Sequence, residues 1–184
     1  MIIIVGLGNP TEEYAKTFHN MGFMAIDRLA DKLGKKIKKA ECDALTVTFS
    51  RNGEKVVFAK PLTYMNLSGK AVKSLIAKYN ANPEDVVILY DDIDIDRFTL
   101  RARASGSAGT HNGMRDIIST LGTTNIKRVR IGIGREGCEL KDYVLSKVKT
   151  EDEVEFNKVF DKLADALDAY LRNADFEALM RAIN

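Results

Sequence analysis

Residues 2–10 read Ile2-Ile3-Ile4-Val5-Gly6-Leu7-Gly8-Asn9-Pro10, or IIIVGLGNP. Four aliphatic side chains in a row ahead of two glycines read as a strand buried on both faces that ends in a tight turn, the pattern of a strand inside a layered α/β sheet. A dinucleotide-binding turn begins the same way. It then needs a third glycine where the next helix packs on the strand, and this chain has Thr11 there. The acidic ribose ligand due about 20 residues further on would be Asp27, which falls in a helical pattern instead of after a second strand. The glycines therefore frame a strand end that delivers the amide of Asn9 to the rim of the sheet.

Outward from this strand, further strand-like runs occur at 45–50, 55–60, 86–91, 98–103 and 127–133. In the last of these, Arg128 and Arg130 alternate with Val129 and Ile131. Asn52-Gly53 between the second and third runs is a strong hairpin signal, here read with a loop somewhat longer than two residues. Apolar stripes at helical spacing lie between the strands: Phe23, Ile26, Leu29 and Leu33 up to Gly34; Ala71, Val72, Leu75, Ile76 and Tyr79; Met114, Ile117, Ile118 and Leu121 up to Gly122. Two helices close the chain, one through Phe156, Val159, Phe160, Leu163 and Leu167, the other through Phe176, Leu179, Met180 and Ile183. Strands alternating with helices, plus one hairpin, predict a single three-layer α/β domain over residues 1–184, with a mixed twisted sheet flanked by helices.

With 184 residues, 45% hydrophobic and 29% charged, the chain has the composition of a globular protein and exceeds what disordered or collagen-like chains carry in apolar residues. Its opening apolar run is too short for a signal peptide or a membrane span, so a cytoplasmic protein without membrane contact is expected. Cys42 and Cys138 are distant and neither belongs to a CxxC pair, so they are read as reduced thiols, with no metal or other cofactor expected. Net charge +2 conceals an asymmetry. Residues 151–184 carry nine acidic against four basic side chains, a net of −5, which leaves +7 for residues 1–150. A positive body with basic clusters at Lys35-Lys36-Lys38-Lys39, Arg101-Arg103 and Lys127-Arg128-Arg130 suits a polyanion, although such blocks are equally common as solvated surface.

Two histidines are present, His19 and His111, each followed by asparagine. His19 sits between the strand end bearing Asn9 and the helix that begins near Met21, a connection at the ligand-binding edge of an α/β sheet. The run VVILYDDIDID at 86–96 brings Asp91 to that same edge, where it can hold one ring nitrogen of His19 and leave the other basic. Asp92, Asp94 and Asp96 imitate the start of a calcium loop, yet Arg97 stands where that loop needs glycine and Arg103 where it needs glutamate; they are read as solvated turn acids. Asn9, Asn66 and Asn112 occupy comparable break points and offer neutral amides for positioning a carbonyl or a ribose, while a helix cap for Asn112 and a turn for Asn66 are the plain alternatives. Residues 103–110 are small and flexible enough for backbone amides to approach a ligand. Without a GxSxG elbow or a cysteine beside a histidine, a water activated by His19 is the economical nucleophile.

GLGNP with Tyr14 and FHNMGF, then KPLTYMNLSG, YDDID, GSAGTHNGM and RVRIGIG follow one another across nearly the whole chain, and in that order they resemble the bacterial peptidyl-tRNA hydrolase family. The resemblance implies an esterase that frees peptide from the 3′ ribose of tRNA, with His19 as base, Asp91 as its partner and Asn9 discriminating a blocked from a free amine. It implies tRNA or substrate contacts at Tyr14, Tyr64, Met65, Asn66, Gly109 and Asn112, and an acceptor-stem surface at Arg103, Arg128 and Arg130. It also implies a lid formed by the short terminal helix, and a monomer. The sequence departs from many relatives at Phe18, where they have arginine, and at ASGSAGT, where they are richer in glycine. A non-catalytic RNA-binding paralogue of the splicing-factor kind is the rival class, and the intact His19, Asp91, Asn66 and Asn112 speak against it.

Overall fold

In the computed structural model, which describes residues 1–137 and 139–184, IIIVG forms β1 (Ile2–Gly6), buried at every position. β1 runs parallel to both of its neighbours, β4 (Glu54–Pro61) and β5 (Val86–Asp92). β5 in turn pairs in parallel with β7 (Lys127–Gly132). Antiparallel strands finish the sheet on both sides: β3 (Ala44–Arg51) and β2 (Lys39–Glu41) beyond β4, and β6 (Leu100–Arg103) beyond β7, giving the order β2-β3-β4-β1-β5-β7-β6. The four parallel strands end at a common edge. That edge receives Asn9, the loop after Pro61, and Asp91.

Alternation along the strands divides the core between two faces. Ile2, Ile4, Val56, Phe58, Val87 and Leu89 face α1 (Met21–Lys32) and α5 (Thr150–Asn173), joined by α6 (Phe176–Ile183). Ile3, Val5, Val57, Ala59, Ile88 and Tyr90 face α2 (Ser68–Tyr79) and α3 (Asn112–Leu121). This is the mixed, helix-flanked sheet expected. Each fully buried isoleucine contributes roughly 1.5–3 kcal/mol by leaving water. β1 crosses α1 so closely that a Cβ on Gly6 would lie 2.2 Å from the carbonyl oxygen of Gly22, and a Cβ on Gly22 would lie 2.3 Å from that of Leu89, so both positions need glycine.

Local differences from the sequence reading have local causes. Asn52 and Gly53 both adopt positive φ (50° and 83°) between the paired Arg51 and Glu54, so the hairpin loop has two residues and is not longer. The strand expected from Phe98 begins at Leu100, because Asp96–Thr99 turns around Gly132, whose absent Cβ would meet the Asp96 carbonyl at 2.1 Å. β2 and a short α4 (Leu140–Leu145) lack a readable pattern of their own. The lysine run at 35–39 feeds into β2, and Lys39 lies 2.7 Å from Glu41. Much of the acidic excess of α5 is likewise answered within the protein, by Arg28 to Asp161, Lys32 to Asp165 and Arg51 to Asp168. Cys42 is a free, half-buried thiol, whereas Cys138 lies outside the described residues. Among the described residues, no helix is long and apolar enough to cross a membrane.

Candidate active site

The edge where the parallel strands end opens into a cleft of about 760 Å³ whose walls include Asn9, Tyr14, His19, Tyr64, Met65 and Asn66. Asp91, Asp92, His111, Asn112 and Arg115 complete its floor and far side.

β1 runs out through Leu7, whose N–H donates to the Leu89 carbonyl and whose own carbonyl receives the Phe23 N–H, pinning the loop between β5 and α1. Asn9 follows, and the Asn20 side chain holds its backbone on both sides: the Asn9 N–H donates to Asn20 Oδ1 at 2.8 Å and Asn20 Nδ2 donates to the Asn9 carbonyl at 3.0 Å. The Asn9 side-chain oxygen accepts the Met65 N–H at 2.9 Å. Its Nδ2 has no hydrogen-bond partner among the described residues, and Asn9 lines the cleft. Asn20 was not singled out in the sequence, and the only signal for it is that both histidines precede asparagine.

His19 lies in a 3-10 turn, Phe18–Asn20, just ahead of α1. Its Nδ1 is 3.1 Å from both oxygens of Asp91 at the end of β5. Nδ1 therefore carries the proton and donates, which leaves Nε2 basic toward the cleft. His19 is 8% exposed and Asp91 2%. Burial disfavours the imidazolium, but the Asp91 carboxylate and its hydrogen bond outweigh burial and raise the His19 pKa above its ordinary value. Burial alone would push the Asp91 carboxyl up; its two histidine partners bring it well below the usual range instead.

The second partner is His111, for which the sequence alone offers no partner. Its Nε2 is 3.1 Å from Asp91 Oδ1, and its Nδ1 accepts the Met114 N–H at 3.1 Å as the N-cap of α3. Asn112, weighed as that cap, is instead the first residue of α3, exposed to the cleft. Gly113 allows the turn to close down on Met65, whose sulfur would be 2.5 Å from a Cβ there. The arrangement of His19, Asp91 and His111 also brings three possible metal-ligand atoms within 4.8 Å. Capping by Nδ1 places the His111 proton on Nε2, so that nitrogen offers Asp91 a hydrogen and a metal no lone pair.

Tyr14 and Tyr64 sit edge to face with centroids 6.3 Å apart, and Tyr64 is 52% exposed. Asn66 is exposed in a 3-10 turn, Met65–Leu67, beside the buried Met65. Gly109 stands just off the wall, between the lining residues Ala108 and Thr110. The terminal helix, implied as a lid, does not line the cleft: α6 packs on β6, where Asn184 pairs with both backbone groups of Ala102, whereas α4 contributes Leu140, Lys141, Val144 and Leu145 to the cleft wall.

The basic trio separates. Arg103 is exposed. Arg130 is half-buried and binds Asp92 at 3.2 Å. Arg128 is 1% exposed, and its guanidinium donates to the carbonyls of Ile126, Ser107 and Thr124 at 2.9–3.0 Å. It faces the layer holding Tyr90 and ties two loops together, so it corrects the surface reading drawn from strand alternation. Of the turn acids, Asp94 and Asp96 are exposed as read, Asp94 in a surface pair with Arg135, while Asp92 is half-buried and its Oδ1 accepts the Asp94 N–H.

The family described as peptidyl-tRNA hydrolase matches the chain over residues 3–184. Peptidyl-tRNA hydrolase of Bacillus anthracis is 45% identical over 186 residues, covering 100% of both chains. Peptidyl-tRNA hydrolase of Staphylococcus aureus strain Newman is 40% identical, covering 100% of this chain and 98% of the relative. Among solved structures, the peptidyl-tRNA hydrolase of Acinetobacter baumannii superposes with a TM-score of 0.93 at 33% identity, covering 100% of this chain and 94% of that one.

Proposed function

The chain belongs to the peptidyl-tRNA hydrolase family, and from that premise we propose that His19, Asp91 and Asn9 carry out its reaction, the hydrolysis of the ester that joins peptide to tRNA. The observation that carries this assignment is the His19 ring, with Nδ1 held 3.1 Å from Asp91 and Nε2 left for the cleft. His19 Nε2 takes a proton from water, and the hydroxide oxygen bonds to the ester carbonyl carbon. The charge that develops on the carbonyl oxygen is received by the free Asn9 Nδ2, whose direction is set by the Met65 N–H on its oxygen. When the tetrahedral intermediate collapses, the carbon–oxygen bond to the ribose breaks and the His19 proton passes to the leaving ribose oxygen. Asp91 balances the imidazolium throughout. General-base help of about 10²- to 10⁴-fold together with oxyanion stabilisation is ample for an ester.

Tyr14 and Tyr64 form an aromatic ledge suited to a terminal base, while Asn66 and Asn112 offer amides to the ribose or the first peptide group. Arg103 supplies an exposed cation for the acceptor stem; Arg130, tied to Asp92, presents less of its charge. A monomer of one domain, working in the cytoplasm where translation supplies its substrate, goes with this reading.

The deciding assay follows release of N-blocked amino acid from blocked aminoacyl-tRNA, with free aminoacyl-tRNA as control and single turnovers of the His19→Ala variant alongside. Hydrolysis of the blocked substrate alone, abolished in the variant, is expected; near-parental single turnover by His19→Ala would remove His19 from the role of base. The RNA-binding paralogue would bind tRNA without releasing the amino acid.

A further inference from the structure

The residue that breaks the calcium-loop spacing after DDIDID, Arg97, gathers four segments around the base of the site. Its Nε donates to the Ile133 carbonyl at 3.2 Å and its Nη1 to Asp152 at the start of α5 at 3.0 Å. Nη2 donates to the Tyr143 hydroxyl at 2.9 Å and also binds Glu136. The guanidinium carbon lies 5.6 Å from the ring centroid of Phe18, the residue before His19. Phe18 in turn packs on Tyr143 of α4 with centroids 4.9 Å apart. Tyr143 donates its own hydroxyl hydrogen to the Ile133 carbonyl at 2.6 Å, so this tyrosine is held from two sides.

The backbone repeats the connection. Ser146, just after α4, accepts the Phe18 N–H at 3.1 Å; Val148 donates to the Lys16 carbonyl at 2.9 Å; and Thr17 bridges Lys147 in antiparallel fashion. The chain leaving α4 is thus the strand partner of the chain entering His19. A helix of six residues has no stability of its own, so the position of α4 is set by contacts such as these.

We propose that Arg97 is a positioning residue for the hydrolysis, fastening α4 and the Lys16–His19 segment into one body so that the cleft wall and the imidazole keep a fixed register. The inference rests on His19 being the base, as assigned above. Arg97 touches no reacting atom; it acts through Phe18 and Tyr143. An arginine that merely stabilised the fold would lower the melting temperature when replaced and leave kcat and KM where they were.

The test is a double-mutant cycle on N-blocked aminoacyl-tRNA, with Arg97→Met, which keeps an unbranched apolar stem, and Tyr143→Phe, which keeps the ring on Phe18. At a temperature where circular dichroism shows folded protein, Arg97→Met is expected to lower kcat roughly tenfold, as misplacement of a reacting group does, and to raise KM. Tyr143→Phe should act in the same direction, and the double variant should lose little more than the stronger single one. A lowered melting temperature with unchanged kcat, a rise in KM alone, or losses that multiply in the double variant would each overturn the proposal. Should Arg97→Met fail to fold, Tyr143→Phe decides by itself: a lower kcat supports the coupling and an unchanged one refutes it. His19→Ala in parallel separates the two readings. If it still hydrolyses, the base assignment fails, while the Arg97–Tyr143 cycle remains readable in kcat whichever group is the base.

Discussion

Nδ1 of His19 lies 3.1 Å from each carboxylate oxygen of Asp91, and this contact decides both which ring nitrogen is free and at what pH it is free. Asp91 raises the His19 pKa against the effect of burial, so the active neutral imidazole is lost as pH falls through a value above the ordinary one of about 6.5. Asp91→Asn removes the charge and leaves the burial. The remaining influence lowers the pKa, so the acidic limb of kcat should move to lower pH while the plateau falls roughly 10²-fold as the ring loses its fixed tautomer. A pH–rate profile from 5 to 9 checks both. An acidic limb at the parental pH would mean that Asp91 serves the fold alone.

His19→Ala should cut turnover by about 10²- to 10⁴-fold, the range for loss of a general base, without weakening the complex with tRNA. The reason is positional: His19 lines the cleft at 8% exposure, and in the proposed reaction it serves the scissile bond and not the acceptor stem. Equilibrium binding of deacylated tRNA next to single-turnover hydrolysis separates the two effects. A parallel loss of both would show that the variant had lost its fold or that His19 binds rather than catalyses.

His111 has two duties that substitution can separate. His111→Ala removes both the cap on α3 and the hydrogen bond to Asp91, whereas His111→Asn restores a good cap and cannot reach Asp91 in the same way. Both variants should be less stable than the parent through loss of the buried Asp91 contact, the alanine variant by about 1 kcal/mol more than the asparagine variant for want of the cap, and both should turn over more slowly. Thermal melts and kcat for the pair provide the comparison; full activity in His111→Asn would leave His111 with the cap alone.

The sheet was legible because its central strands are buried on both faces. Runs such as IIIV and VVIL carry that burial in their composition, and Gly34, Gly53 and Gly122 mark the turns with positive φ. His19, Asp91 and Asn9 could be placed together because parallel strands must end at one edge. What stayed hidden depends on distant partners. α4 is six residues held by Arg97 and Phe18, β2 is three residues at a sheet edge, and the role of His111 appears only when α3 is set against the end of β5. The alternation in β7 pointed Arg128 and Arg130 away from Val129 and Ile131 correctly. It could not reveal that loop carbonyls from Ser107, Thr124 and Ile126 would close over one of them.

That difference makes the basic residues the sharpest separation between stability and binding. Arg128→Ala would take a donor from three carbonyls, of which that of Ile126 is buried and left unpaired, while that of Thr124 keeps the Gly106 and Ile126 N–H groups and that of Ser107 belongs to an exposed residue, so the loss should be about 1–3 kcal/mol. In a protein of this size such a loss lowers the melting temperature by about 2–10 °C. Arg103→Ala removes an exposed side chain, so stability should change by no more than about 0.5 kcal/mol. Its effect should instead appear in tRNA affinity, as weaker binding and a salt dependence whose log–log slope is smaller by about 1, because one phosphate no longer releases its counterion. Melting curves and tRNA titrations at several salt concentrations, run on both variants, test the pair. A stable Arg128→Ala protein with a reduced salt slope would return Arg128 to the tRNA surface, and an unchanged slope in Arg103→Ala would remove Arg103 from it.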